Sequence, residues 1–174
     1  LYSDASFSYF TSAEGEPPSN WRTPDFDDSA WRKGKGGLGY DDNDDVTIIE
    51  KCIGMAMRTS FKLNDVDKLT EALLNMDYDD AFIAYVNGVE IARSAGLTEK
   101  FPALTQNSSS NHEAKMYSNG LPESFIIAPD KLKTVFKEGN NILAVQVHNT
   151  SLSSSDMSSN MFLSVGLSDE KRRY

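Results

Sequence analysis

The chain has 174 residues, 39% apolar and 10% aromatic, which suffices for one domain with its own core. Acids outnumber bases 26 to 17, a net charge of −9, and residues 1–50 alone hold eleven acids against four bases. Such a field repels phosphate backbones and excludes nucleic acid as a natural partner, while an acidic end welcomes a cation.

In chain order, Ser6-Phe7-Ser8-Tyr9-Phe10 alternates and reads as a strand, and Glu14 to Asn20, with Pro17 and Pro18, reads as a loop. Val46 to Glu50 is β-branched and is expected to be a strand. Arg58 to Leu63 alternates, with Thr59, Phe61 and Leu63 on one face and Arg58 on the other. Asp65 to Met76 carries helix formers at helical spacing, yet Leu73 to Tyr78 reads as well as a strand entering the Asp79-Asp80 turn; context favours the strand. Phe82 to Val86 and Val89 to Arg93 flank Asn87-Gly88, the strongest short hairpin signal, because a type I′ turn needs positive φ twice. A long polar connection follows, from Ala95 to Leu121. Asp130 to Phe136 is expected to make one short helical turn, opened by Asp130 and closed by Gly139. Asn141 to His148 is nearly all apolar, as a central strand covered on both faces would be, and Met161 to Leu167 closes the domain after a Ser-rich loop at 150–160. Dense turns and short apolar runs make this an all-β chain: one domain over 1–170 and a tail at 171–174. No run approaches the about 20 apolar residues of a membrane span, and Leu1-Tyr2-Ser3-Asp4 shows no signal peptide; opening with Leu, the chain is expected to be a piece of a longer parent, compatible with secretion.

Four places could carry chemistry. Asp41, Asp42, Asp44 and Asp45 crowd hard oxygen ligands into one loop, suited to Ca²⁺, although a solvated turn guarding an edge strand is the favoured reading. An EF-hand is rejected, since Val46 stands where Gly is needed and Cys52 where a bidentate Glu is needed. Asp79 and Asp80 are paired carboxylates, but neighbours in a strand diverge, which favours turn formation over acid–base catalysis. His148-Asn149 with Ser155 and Asp156 invites a hydrolase reading, yet no Gly-x-Ser-x-Gly elbow exists and His148 is better explained at a strand end. Trp21, Trp31, Tyr40, Tyr85 and Tyr117 could stack on sugar rings, with Trp31 and Phe26 read as core anchors instead. Cys52 is a lone cysteine and reads as a small apolar residue.

Asn20-Trp21, Phe26-Asp27-Asp28-Ser29 with Trp31 and Gly34, Arg58-Thr59-Ser60-Phe61, the Asp79-to-Arg93 hairpin and Gly139-Asn140-Asn141 through His148-Asn149 together resemble galactose-binding-like β-sandwich domains. Such domains occur in extracellular bacterial proteins beside spore-coat-H-type or lamin-tail modules, and the motifs are similar to the sugar-binding jelly roll that precedes many glycoside hydrolase barrels. Ala81 departs from the Gly often found after the Asp pair. The resemblance implies a jelly-roll antiparallel sandwich, often with a structural Ca²⁺, that serves as a non-catalytic accessory module at the cell surface or outside the cell. Its expected ligand is a glycan, gripped at one rim by Asp79, Asp80, Arg93, His148, Asn149, Ser155 and Asp156. A spacer without a small ligand is the alternative, and a hydrolase the last choice.

Overall fold

Period-two alternation becomes strand in the segments that carry it, in a computed structural model that describes residues 5–41 and 45–168. Six strands form the larger antiparallel sheet, in the order β2 (Arg32–Lys35), β1 (Ser6–Thr11), β5 (Gly54–Leu63), β10 (Gly139–His148), β7 (Ala81–Val86), β8 (Val89–Arg93). The second sheet is β11 (Ser159–Leu167), β6 (Leu69–Tyr78), β9 (Glu123–Ile126). A short parallel pair, β3 (Leu38–Gly39) with β4 (Thr47–Ile48), lies beside them. The result is an all-β sandwich, and the one α-helical turn among the described residues, α1 (Leu132–Val135), falls inside the stretch where a single turn is expected.

The sheets face each other through alternate side chains. Phe7 of β1, Met55 and Met57 of β5, Phe82 and Ala84 of β7, and Leu143, Val145 and Val147 of β10 meet Leu74 and Met76 of β6 and Met161 and Leu163 of β11 in one buried cluster. The larger sheet is also covered outside. Trp21, Trp31 and Leu104, all from loops, pack on Ala56, Ile83, Tyr85 and Ala144. That second layer explains why β10 is apolar on both faces, as read from its sequence. Of the five aromatic candidates, Trp21, Trp31 and Tyr85 are buried in this layer and Tyr40 in the inner core, which leaves only Tyr117 exposed.

The hairpin forms as expected, with Asn87 at φ 53° and Gly88 at φ 84° between Val86 and its partner Val89. Asn87 does more than turn: its amide donates to the Val135 carbonyl and to Asn141 Oδ1, locking the hairpin to the end of β10. The ambiguous stretch resolves as strand from Leu69, four residues before the expected start, after a single 3₁₀ turn at Val66–Lys68. Ala72, Leu74, Met76 and Tyr78 all point into the core, so period-two burial overrides helix propensity. The strand expected over Val46–Glu50 shrinks to Thr47–Ile48.

Candidate functional site

β6 ends at Tyr78 and β7 begins at Ala81, so Asp79 and Asp80 form the tight link between the two sheets. Around that link gather the end of β10, the 95–121 connection and the 154–158 loop. Asp77 and Asp80 do the organising. Asp77 takes the backbone N–H of Lys115 and of Met116, each at 2.8 Å. Asp80 takes the N–H of His112 at 3.0 Å and of Thr150 at 2.8 Å. Buried carboxylates holding two backbone donors apiece are satisfied groups, and they fix where the connection crosses the sandwich end. His112 adds to this by stacking on Tyr78, centroids 4.0 Å apart, and by reaching Glu123 at 3.1 Å. With His112 and Lys115 both pinned, Glu113 between them is delivered to one place.

That place is beside Asp79. One carboxylate oxygen from each of Asp79, Glu113 and Asp156 lies within 4.8 Å of the other two. Asp156 is brought there by its neighbour Met157, whose backbone bridges to Tyr40 in both directions at 3.0 and 3.3 Å. Ser155 donates to Asp156 Oδ1 at 2.7 Å. Asp79 is only 3% exposed. Burial first, then the charges of Asp80, Asp156 and Glu113, push its carboxyl up to about 8. The same end contains Tyr40, whose hydroxyl is raised to about 12 by burial foremost, with the charges of Cys52, Asp156 and Asp79 adding to it. Asn149 donates to that hydroxyl at 2.7 Å, while its own Oδ1 is buried without a hydrogen-bond partner.

The chemistry of such a donor set is that of a hard divalent cation, since closely placed carboxylate oxygens suit Ca²⁺. Asp79, Glu113 and Asp156 are the residues that would hold it. The acidic loop contributes differently. Asp41 is paired with Lys51 at 3.1 Å, Asp45 packs against Gly39, and Asp42 and Asp44 lie outside the described residues.

The seven residues expected at one rim therefore divide. Asp79 and Asp156 converge, with Ser155 beside them. Asp80 is spent on backbone. His148 is fully enclosed: its Nδ1–H donates to the Gln106 carbonyl at 2.8 Å and its Nε2 accepts from Gln146 at 3.0 Å. Burial holds this imidazole down at about 4, so it stays neutral. Asn149 is equally sealed, bonded to Tyr40 and the Cys52 carbonyl. Arg93, at the end of β8, spends its guanidinium on Glu90 at 2.7 Å and on the carbonyls of Leu97 and Glu99. Glu113 is the member that sequence reasoning missed. Nothing local marks it, and the only available signal was the clustering of acids at 77, 79 and 80, which had to be satisfied by something.

No family model matches the chain, and no curated protein matches it in sequence. Solved structures do share its fold. A glycosyl hydrolase family 2 member from Bacteroides cellulosilyticus has a TM-score of 0.54 at 13% identity, over 93% of this chain and 20% of that one. A calcium binding mutant of Bacteroides uniformis β-glucuronidase 2 has 0.52 at 13%, over 90% and 17%. Bifidobacterium dentium β-glucuronidase, complexed with coumarin-3-O-glucuronide, has 0.51 at 18%, over 83% and 19%. These likenesses are likenesses of fold. The chain spans only about a fifth of the length of the proteins it resembles.

Proposed function

We propose that this chain is a non-catalytic carbohydrate-binding module of a larger, extracellular or cell-surface protein, with a Ca²⁺ ion bracing one end of the sandwich at Asp79, Glu113 and Asp156. The observation that carries the reading is a sandwich shared with segments of glycoside hydrolase chains, of which it makes up only a fraction. Two further features support a non-catalytic role. His148 is sealed and neutral, and burial pushes the Cys52 thiol up to about 12, so neither serves as base or nucleophile. Calcium is supported by the buried Asp79, which faces three other acids, and by the calcium-binding character named for a protein of the same fold.

The ion's part would be structural: it would neutralise Asp79 and tie the 95–121 connection and the 154–158 loop to the β6–β7 link. Retention of the domain on an array of immobilised glycans tests the first half, and thermal melting with Ca²⁺ against chelator tests the second. Failure to bind any glycan while folded removes the carbohydrate reading. A second reading, a spacer with no small ligand, draws on the way Asp80, His148 and Asn149 are consumed by the fold's own backbone, and a blank array would favour it.

A further inference from the structure

The cleft on the outer face of the larger sheet has a volume of about 360 Å³, within the range of small-ligand sites. Its lining joins two segments that stand far apart in sequence, Phe26 with Asp28 and Arg58-Thr59-Ser60, with Ser8 and Lys33 between them. Arg58 is buried and four of its five N–H donors are taken, by Asp28 Oδ2 at 2.9 Å and by the carbonyls of Trp21, Thr23 and Phe26. It therefore has little left to offer a ligand directly. What it does is hold Asp28 and the whole 21–28 loop still, which is the preorganisation a binding site needs.

The other oxygen, Asp28 Oδ1, faces Lys33 Nζ at 3.5 Å, the outer limit of a hydrogen bond. Lys33 also donates to Ser8. Here an acceptor and a charged donor stand side by side, held too far apart to satisfy each other well. A hydroxyl that donates to Asp28 and accepts from Lys33 would bridge the pair from the cleft side, and Ser60, exposed on the same face of β5, lines the same cleft for a neighbouring hydroxyl. Phe26, Pro24 and Ile142 supply the apolar wall that the carbon face of a sugar ring requires. The charges favour a neutral ring. Arg58 and Asp28 offset each other, and Asp25 and Asp27 are exposed on the same loop, so a sugar carboxylate would meet two acids against Lys33.

We propose that this cleft is a binding site for one neutral pyranose ring, recognised through adjacent hydroxyls by Asp28, Lys33 and Ser60. The assignment rests on reading the chain as a carbohydrate-binding module and supplies that module with its site, away from the acidic end.

The test is an amide-resolved NMR titration of the whole domain with methyl β-D-galactopyranoside and methyl β-D-glucopyranoside. Shifts are expected at Ser8, Lys33 and Ser60 with at least one of the two. Lys33→Met and Ser60→Tyr, both at exposed positions, should each weaken that binding about tenfold or more while melting as the parent does. Asp28→Asn should do the same, and Ser60→Tyr keeps the test sound should Asp28→Asn loosen Arg58. Shifts confined to the Asp79 end, or both exposed variants binding like the parent, overturn the site and leave the module reading intact. Retention on a glycan array with no response to either glycoside overturns the pyranose assignment alone. Silence in both assays overturns the module reading as well.

Discussion

Two buried charges, Arg58 and Asp79, are solved in opposite ways by the same sandwich. Arg58 is 2% exposed and meets four acceptors, one of them the carboxylate of Asp28. Asp79 is 3% exposed and meets three more acids. Removing a charge from water costs several kcal/mol unless its partners restore what hydration supplied. Around Arg58 the chain supplies those partners itself, so the charge becomes a clamp for the loop layer that carries Trp21 and Phe26. Around Asp79 it supplies more of the same charge. The first region is complete, and the second has a deficit that a proton or a divalent cation fills.

Breaking the complete region should cost most. Arg58→Met keeps the bulk but leaves Asp28 and three carbonyls without their donor, and a loss of about 3–5 kcal/mol is expected in urea unfolding. For a chain of this length that lowers the melting temperature by roughly 6–20 °C. A loss below about 1 kcal/mol would show that water replaces the guanidinium and that the clamp is no clamp.

Filling the deficient region comes next. At Ca²⁺ about a hundredfold above its dissociation constant, linkage adds about 2.7 kcal/mol, or roughly 5–11 °C in melting temperature. Asp79→Asn should abolish this response. The pH dependence checks the same idea without metal. Asp79 has its folded value raised from the usual carboxylate range to about 8, so the folded state holds the proton more tightly than the unfolded chain. Stability owed to this group is complete below about pH 4, declines as the pH climbs, and is gone above about 8. In chelator, Asp79→Asn should flatten that decline, and added Ca²⁺ should do likewise in the parent. A parent whose stability ignores both Ca²⁺ and pH across this window would mean the trio carries no net strain.

His148 gives a smaller effect of opposite sign. Its folded value is about 4, below the ordinary imidazole value, so the unfolded chain binds the proton more readily. The stability it contributes is present above about pH 6.5 and is lost as the pH falls towards 4, by about 3 kcal/mol in all. His148→Gln should remove that acid-side loss, and chemical denaturation at pH 7, 5.5 and 4 would show it. An unchanged acid slope would mean that the ring charges in place, with Gln106 and the 95–121 connection lifting off it.

The same contrast explains how much was legible in advance. Alternation in Arg58–Leu63, the double-sided apolar run of β10 and Asn87-Gly88 are local patterns with one physical outcome, and each fixes its element. β9 has four residues and β2 reads Arg-Lys-Gly-Lys, so neither carries an apolar period, and both exist because a neighbouring strand offers an edge. His148 and Asn149 look like rim residues because polar strand ends usually face water. Here the 95–121 connection folds over them, and a serine from that loop, Ser108, donates its N–H to the Asn149 carbonyl. Which polar group a distant loop will cover is a tertiary fact that no short window contains. Glu113 reaches Asp79 for the same reason.

Arg93 sharpens the comparison from the other side, with the smallest effect. Its guanidinium is bidentate with Glu90, but both side chains keep a quarter to a third of their surface in water, so neither the desolvation cost nor the Coulomb gain is large. Its raised value follows chiefly from the hydrogen bond to Glu90. Arg93→Ala should therefore cost about 0.5–1 kcal/mol, mostly from the freed carbonyls of Leu97 and Glu99. The loss should shrink with added salt, as screening weakens an exposed pair and leaves a buried one such as Arg58–Asp28 nearly untouched. Unfolding free energies of both variants at low and high ionic strength put the two arginines on one axis. If Arg93→Ala proved as costly and as salt-insensitive as Arg58→Met, burial would not be what makes an arginine costly to remove, and the backbone carbonyls that both guanidinium groups hold would be the shared cause.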